Sequence, residues 1–212
     1  MSRIAVKICG LSTPETLAAA LAGGADHVGF VHFPKSPRHV AIDRLAGLVR
    51  NVPARVTRVA VMVDPDDGLL ERVAPHVHAF QLHGGETPER SAAIRRHFGK
   101  AVWKAIPVKT GADLSAGSAF MGAADLLLYD AKTPKGADLP GGMGLRFDWT
   151  LLSGFRPPIP WGLSGGLDPF NVAEAIRVTG TSLVDVSSGV ESEPGIKDVD
   201  KIAAFCEAVS QC

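Results

Sequence analysis

Cys9, His83, Asp130, Gly165-Gly166 and Ser188-Gly189 share one property: each follows directly on a short apolar run of strand character. A thiol, an imidazole, a carboxylate and two glycine-containing loops are scattered over nearly the whole chain. They meet in one place if the strands deliver their carboxyl ends to a common rim, as a parallel α/β barrel does.

The first run places Ala5, Lys7 and Cys9 on one face and Ile4, Val6 and Ile8 on the other, because side chains alternate along a strand. The apolar face suits packing against helices, which turns Lys7 and Cys9 into the barrel. A nearby ammonium favours the thiolate, so Cys9 is suited to act as a base or nucleophile. A buried spectator thiol beside a solvated lysine fits the same pattern. Asp130 ends Leu126-Leu127-Leu128-Tyr129, and a carboxyl group partly withdrawn from water at a strand mouth is suited to act as an acid. A loop or capping aspartate is its ordinary alternative. Asp185, after Leu183-Val184, carries the same ambiguity, and His83 is either a substrate contact or a structural histidine.

Gly165-Gly166 after the seventh strand and Ser188-Gly189 after the eighth occupy the two loops in which barrels often hold phosphate through backbone N–H groups. One Gly-Gly is a common turn; both loops in these positions point to a phosphate cradle. Arg38, in Pro34-Lys35-Ser36-Pro37-Arg38 after the second strand, adds a cation that can face a carboxylate, unless this is a solvated proline-rich turn.

The elements that must position these groups alternate throughout. Strands are expected at 4–9, 27–32, 56–63, 78–82, 101–106, 124–129, 159–163 and 182–187. Helices are expected from Pro14 to Gly23-Gly24, with Thr13 as the cap, then near 41–51, 66–75, 87–98, 111–119 (weak), 147–153, 169–179 and 198–210. Eight units without a composition break predict a (β/α)8 barrel forming a single domain over 1–212; an open doubly wound sheet is the alternative. The exception to short connections is 131–146, on the expected active rim, which is either a lid or a disordered insertion.

With 46% hydrophobic residues in 212, the chain can bury a core, and its 22 basic and 22 acidic residues leave no electrostatic footprint for nucleic acid or a membrane surface. Cys9, Cys206 and Cys212 form neither a disulfide framework nor a zinc spacing, and the seven histidines show no metal-binding pattern. A reducing cytoplasm, a small phosphorylated ligand and no metal are expected. Lys7 interrupts the amino-terminal apolar run, so no signal sequence is expected, and no stretch approaches membrane-spanning length.

Taken in order, Val6-Lys7-Ile8-Cys9-Gly10, Gly29-Phe30-Val31, Ser36-Pro37-Arg38, Gln81-Leu82-His83-Gly84, Gly141-Gly142 with Gly144 and Phe147-Asp148-Trp149 closely resemble the phosphoribosylanthranilate isomerase family of tryptophan biosynthesis. Leu163-Ser164-Gly165-Gly166-Leu167, Asp185-Val186-Ser187-Ser188-Gly189-Val190-Glu191 and Gly195-Ile196-Lys197-Asp198 extend the resemblance to the last helix. It implies a cofactor-free Amadori rearrangement of N-(5-phosphoribosyl)anthranilate to 1-(2-carboxyphenylamino)-1-deoxyribulose 5-phosphate. By the same resemblance Asp130 is the general acid, Cys9 the general base, and Arg38 the partner of the anthranilate carboxylate. His83 and Asp185, with Lys7 beside the thiol, become pocket residues, and Gly165, Gly166, Ser188 and Gly189 the phosphate grip. The family includes monomers and homodimers, and the sequence does not choose between them.

His32 and Met143 depart from the family pattern, with an expected effect on loop motion or affinity and none on the acid or base. The rival functions are a barrel isomerase of another aldosylamine phosphate, a non-catalytic phosphate-binding barrel and a thiol redox sensor. The first is expected to use paired aspartates, which a cysteine after the first strand argues against. A redox sensor needs a resolving thiol near Cys9, whereas Cys206 and Cys212 lie on or beyond the last helix.

Overall fold

In the computed structural model, which describes residues 3–134 and 141–212, eight parallel strands close into a barrel. They are β1 (Ala5–Cys9), β2 (His27–Val31), β3 (Thr57–Met62), β4 (Ala79–Leu82), β5 (Ala101–Val108), β6 (Leu126–Ala131), β7 (Trp161–Leu163) and β8 (Leu183–Val186). Closure is made by β8 on β1, with Lys7 opposite Asp185 and Ile8 opposite Val186. That register rules out the open sheet.

Helices α1 (Pro14–Ala22), α2 (Ile42–Val49), α3 (Asp67–Val73), α4 (Pro88–Phe98), α5 (Val172–Thr179) and α6 (Val199–Ser210) surround the strands. Local chemistry sets their starts. The Thr13 side chain accepts from the Thr16 amide at 3.2 Å ahead of Pro14, and Thr87 does the same for Arg90 ahead of Pro88.

Two expected helices form as 3-10 segments instead, Gly111–Phe120 and Trp149–Leu152. The first contains Gly117, where a Cβ would stand 2.6 Å from the Tyr129 hydroxyl and 2.7 Å from Leu127, so the backbone lies against β6 where a side chain would hold it off. The second is stopped after one turn by Gly154 at φ +72°, followed closely by Pro157-Pro158. A small antiparallel hairpin, β9 (Glu191–Glu193) with β10 (Ile196–Lys197), was not expected. Its turn contains Pro194-Gly195, with Gly195 at φ +86°.

Most of the apolar core lies between strands and helices, where Ile8, Val28, Phe30, Phe80, Leu127 and Val184 meet Leu17, Leu45, Leu70 and Phe205. A smaller group, Val59, Ala79, Trp103, Leu128 and Leu183, forms a separate cluster. These residues belong to the inward-facing sets of their strands, on the side of the barrel away from the rim. The rim is left to polar side chains.

Candidate active site

The alternation along β1 places Lys7 and Cys9 inside the barrel. Lys7 has no exposed surface, and its Nζ donates to both carboxylate oxygens of Asp185 at 2.9 Å. Gly29 lies opposite Cys9 on β2, where a Cβ would come within 2.8 Å of Sγ and 3.1 Å of Lys7 Nζ. A glycine there is what lets thiol and ammonium share the space. Burial pushes the Cys9 thiol above its ordinary value, and Lys7 opposes that shift without reversing it. Burial acts to lower Lys7, but Asp185 and Cys9 together hold it above its usual value, so the ammonium stays charged.

The other wall is built from β4 and β6. His83 Nε2 lies 3.1 Å from Asp130 Oδ2, its Nδ1 lies 3.2 Å from the Gln81 amide nitrogen, and Asp130 Oδ1 accepts from the Ala131 amide at 2.8 Å. Gln81 and Asp130 thus hold the imidazole from its two nitrogens. Gly141 covers this pair from the loop after β6. A Cβ at 141 would meet His83 Nε2 at 2.7 Å and Asp130 Oδ2 at 2.9 Å.

The loops after β7 and β8 meet beside these walls. Gly165 and Gly166 have φ +88° and +65°, and a Cβ on Gly165 would stand 2.6 Å from both the Ala131 amide and Asp130 Oδ1. Ser188–Val190 form a 3-10 turn, and Gly189 lies against the Leu167 carbonyl with no room for a side chain. Among the described residues the amides of Gly165, Gly166, Ser188 and Gly189 have no acceptor, which leaves backbone donors for an anion.

One pocket at the strand carboxyl ends is lined by Cys9, Arg38, His83, Asp130, Asp185, Gly165, Gly166 and Ser188. Lys7 is not on its wall; it sits behind Cys9, buried against Asp185. Gly189 is one step back as well, packed on Leu167. Arg38 is buried rather than solvated: its Nε and Nη2 each donate to Glu191 at 2.7 Å, and Nη2 also donates to the Gly142 carbonyl at 3.0 Å. The segment 131–146, expected to be a lid or a disordered insertion, includes 135–140, outside the described residues, while Gly141 to Leu145 line the pocket. His32 bonds the Val40 carbonyl and faces His39, away from acid and base; Met143 stands at the pocket mouth.

Reading the residues one at a time gave no role to Glu191, Lys197 or Gln81. The Pro-Gly turn between Glu191 and Lys197 was the available signal, since it predicts a hairpin that brings the two charges together.

Comparison with known proteins agrees with this geometry. The model of the N-(5'-phosphoribosyl)anthranilate (PRA) isomerase family matches residues 6–208. The N-(5'-phosphoribosyl)anthranilate isomerase of Zymomonas mobilis subsp. pomaceae is 56% identical over 211 residues, covering 97% of this chain and 98% of its own. The crystal structure of phosphoribosyl anthranilate isomerase from Thermotoga maritima superposes with a TM-score of 0.88 at 35% identity, over 99% of this chain and 100% of that one. A phosphoribosyl anthranilate isomerase in complex with reduced 1-(o-carboxyphenylamino)-1-deoxyribulose 5-phosphate gives 0.83 at 33% identity, over 99% and 100% of the two chains. A barrel with this rim and these relatives belongs to the N-(5'-phosphoribosyl)anthranilate isomerase family.

Proposed function

We propose that the chain isomerises N-(5'-phosphoribosyl)anthranilate by dividing acid and base work between Asp130 and Cys9. The carboxyl group of Asp130 protonates the furanose ring oxygen, the bond from that oxygen to C1 breaks, and the ring opens to an iminium. The Cys9 thiolate then takes the proton from C2, and the resulting enolamine tautomerises to the aminoketone. Lys7 stabilises the thiolate against the cost of burial, and His83 orients the Asp130 carboxyl through the 3.1 Å contact. The amides of the loops after β7 and β8 hold the 5-phosphate, and Arg38 meets the anthranilate carboxylate. In this scheme Gly141 to Leu145, which line the pocket, help to shelter the opened sugar from water.

The observation that carries the assignment is the placement of Cys9 and Asp130 on one pocket, with the unpaired amides beside them. It favours this substrate over a paired-aspartate isomerisation, because the strand-one base is a thiol held beside an ammonium. A phosphorylated substrate does not cross membranes unaided, and this supports a cytoplasmic location. No helix described here is long and apolar enough to span a membrane. The test is to supply freshly made N-(5'-phosphoribosyl)anthranilate and follow its conversion. A folded preparation that does not turn it over would overturn the proposal.

A further inference from the structure

Outside the barrel, Glu191 and Lys197 face each other across the β9–β10 hairpin, and both are buried together with Arg38. Glu191 accepts from Arg38 Nε and Nη2, from Lys197 Nζ and from the Gly195 amide. Lys197 Nζ donates in addition to the carbonyl of Ser187 at 2.9 Å and to its hydroxyl oxygen at 3.3 Å. The cluster stands directly over the end of β1: a Cβ at Gly10 would meet Arg38 Cδ at 2.8 Å and Lys197 Nζ at 3.1 Å. Burying one carboxylate between two cations costs desolvation of all three, and stability alone does not call for such a cluster.

From this geometry we infer that Glu191 is a positioning residue for carboxylate recognition, with the β9–β10 hairpin serving as its mount. The bidentate bond occupies the Nε and Nη2 edge of the guanidinium, and Nη1 has no acceptor among the described residues. Arg38 borders the pocket, so the fixed plane presents Nη1 to a ligand there. Charge counting identifies the ligand group, not the role of Glu191. Two cations against one anion leave a net positive charge in a buried site, which a ligand carboxylate would neutralise. Lys197 keeps Glu191 from cancelling Arg38.

This inference rests on Arg38 meeting the anthranilate carboxylate, and the experiment separates the two. Dissociation constants are measured for reduced 1-(o-carboxyphenylamino)-1-deoxyribulose 5-phosphate and for the same molecule lacking the ring carboxylate, in wild type, Glu191→Gln, Arg38→Ala and the double variant. Glu191→Gln should weaken the carboxylated ligand at least about tenfold more than the decarboxylated one, and add nothing to that difference once Arg38 is gone. If Arg38→Ala leaves the preference for the carboxylate intact, the role of Arg38 itself is wrong. If Arg38→Ala removes the preference and Glu191→Gln does not, only the role of Glu191 is wrong. Should Glu191→Gln fail to fold, Glu191→Asp keeps the charge but withdraws it by one methylene; the same selective loss is expected, and equal loss for both ligands would overturn the inference.

Discussion

The two sides of the pocket meet opposite demands with opposite construction. Cys9 is backed by the buried ion pair of Lys7 and Asp185, whereas Asp130 is backed by the hydrogen-bonded side chains of His83 and Gln81 and is covered by Gly141. Burial disfavours the Cys9 thiolate, and the ammonium of Lys7, clamped by Asp185, opposes that shift. In the proposed division of work Asp130 delivers a proton to a sugar oxygen, which needs orientation more than field, and the hydrogen-bonded imidazole supplies that. Electrostatics builds the Cys9 side, and hydrogen-bond geometry builds the Asp130 side.

The contrast breaks most sharply at Cys9. Serine is nearly isosteric but ionises far less readily, so Cys9→Ser should keep the fold and ligand binding and lower kcat by about 10³- to 10⁴-fold. Wild-type kcat with the chemical step limiting would make Cys9 a spectator. Asp130→Asn removes the transferable proton but keeps the shape, and kcat should fall about 10²- to 10³-fold with a much smaller change in affinity. Near-normal turnover, again with chemistry limiting, would end the acid assignment. Lys7→Met acts on the base side alone. The rate of iodoacetamide alkylation should titrate to higher pH, because Lys7 pulls the thiol down. The orphaned Asp185 should also cost stability, about 3–5 kcal/mol, read by urea unfolding. An unshifted alkylation profile would mean that the ammonium does not govern the thiol. On the third wall, a double change to alanine at Gly165 and Gly189 should raise KM and abolish competition by inorganic phosphate; retained competition in a folded variant would move the phosphate site elsewhere.

The barrel was legible because its signals are local. Apolar runs mark every strand, Thr-Pro, Asp and glycine signals mark several of the helix ends, and all eight strand ranges overlap the observed ones, with β6 and β7 each starting two residues later than expected. The strand expected from 124 begins at Leu126 instead, since the Asp125 side chain accepts from the Val102 amide and from Arg95 and turns the chain there. The alternation on β1 fixed where Lys7 and Cys9 point. Partnerships were not legible in the same way: Lys7 meets Asp185 and Arg38 meets Glu191 only after the barrel closes, from opposite ends of the chain. Lys104, whose Nζ bonds Glu86 at 2.8 Å and the Gly84 carbonyl at 2.8 Å, is another such case; it anchors the turn after His83 and has no local signature.

The smallest expected effect compares Cys9 with a buried thiol that has no cation. Cys206 lies on α6 against Gly23, and burial, with a lesser push from Asp26, raises its thiol from 9.0 to about 11. In the unfolded chain that thiol ionises at its ordinary value, while in the folded protein it stays protonated until about 11. Its contribution to stability is therefore whole below 9, declines as pH rises between 9 and 11, and is gone above that. The amount is on the order of 2 kcal/mol or less. Cys206→Ala removes that contribution, so urea midpoints of the variant should fall less between these two pH values than those of the wild type, although the variant starts lower through lost packing. Cys9→Ser puts the same question to the rim, where burial also raises the thiol and Lys7 offsets part of that shift. If Cys206→Ala and the wild type lose stability in parallel across the window, burial alone does not hold a thiol protonated in this fold. The cation beside Cys9 would then have less to overcome than the base side of the pocket implies.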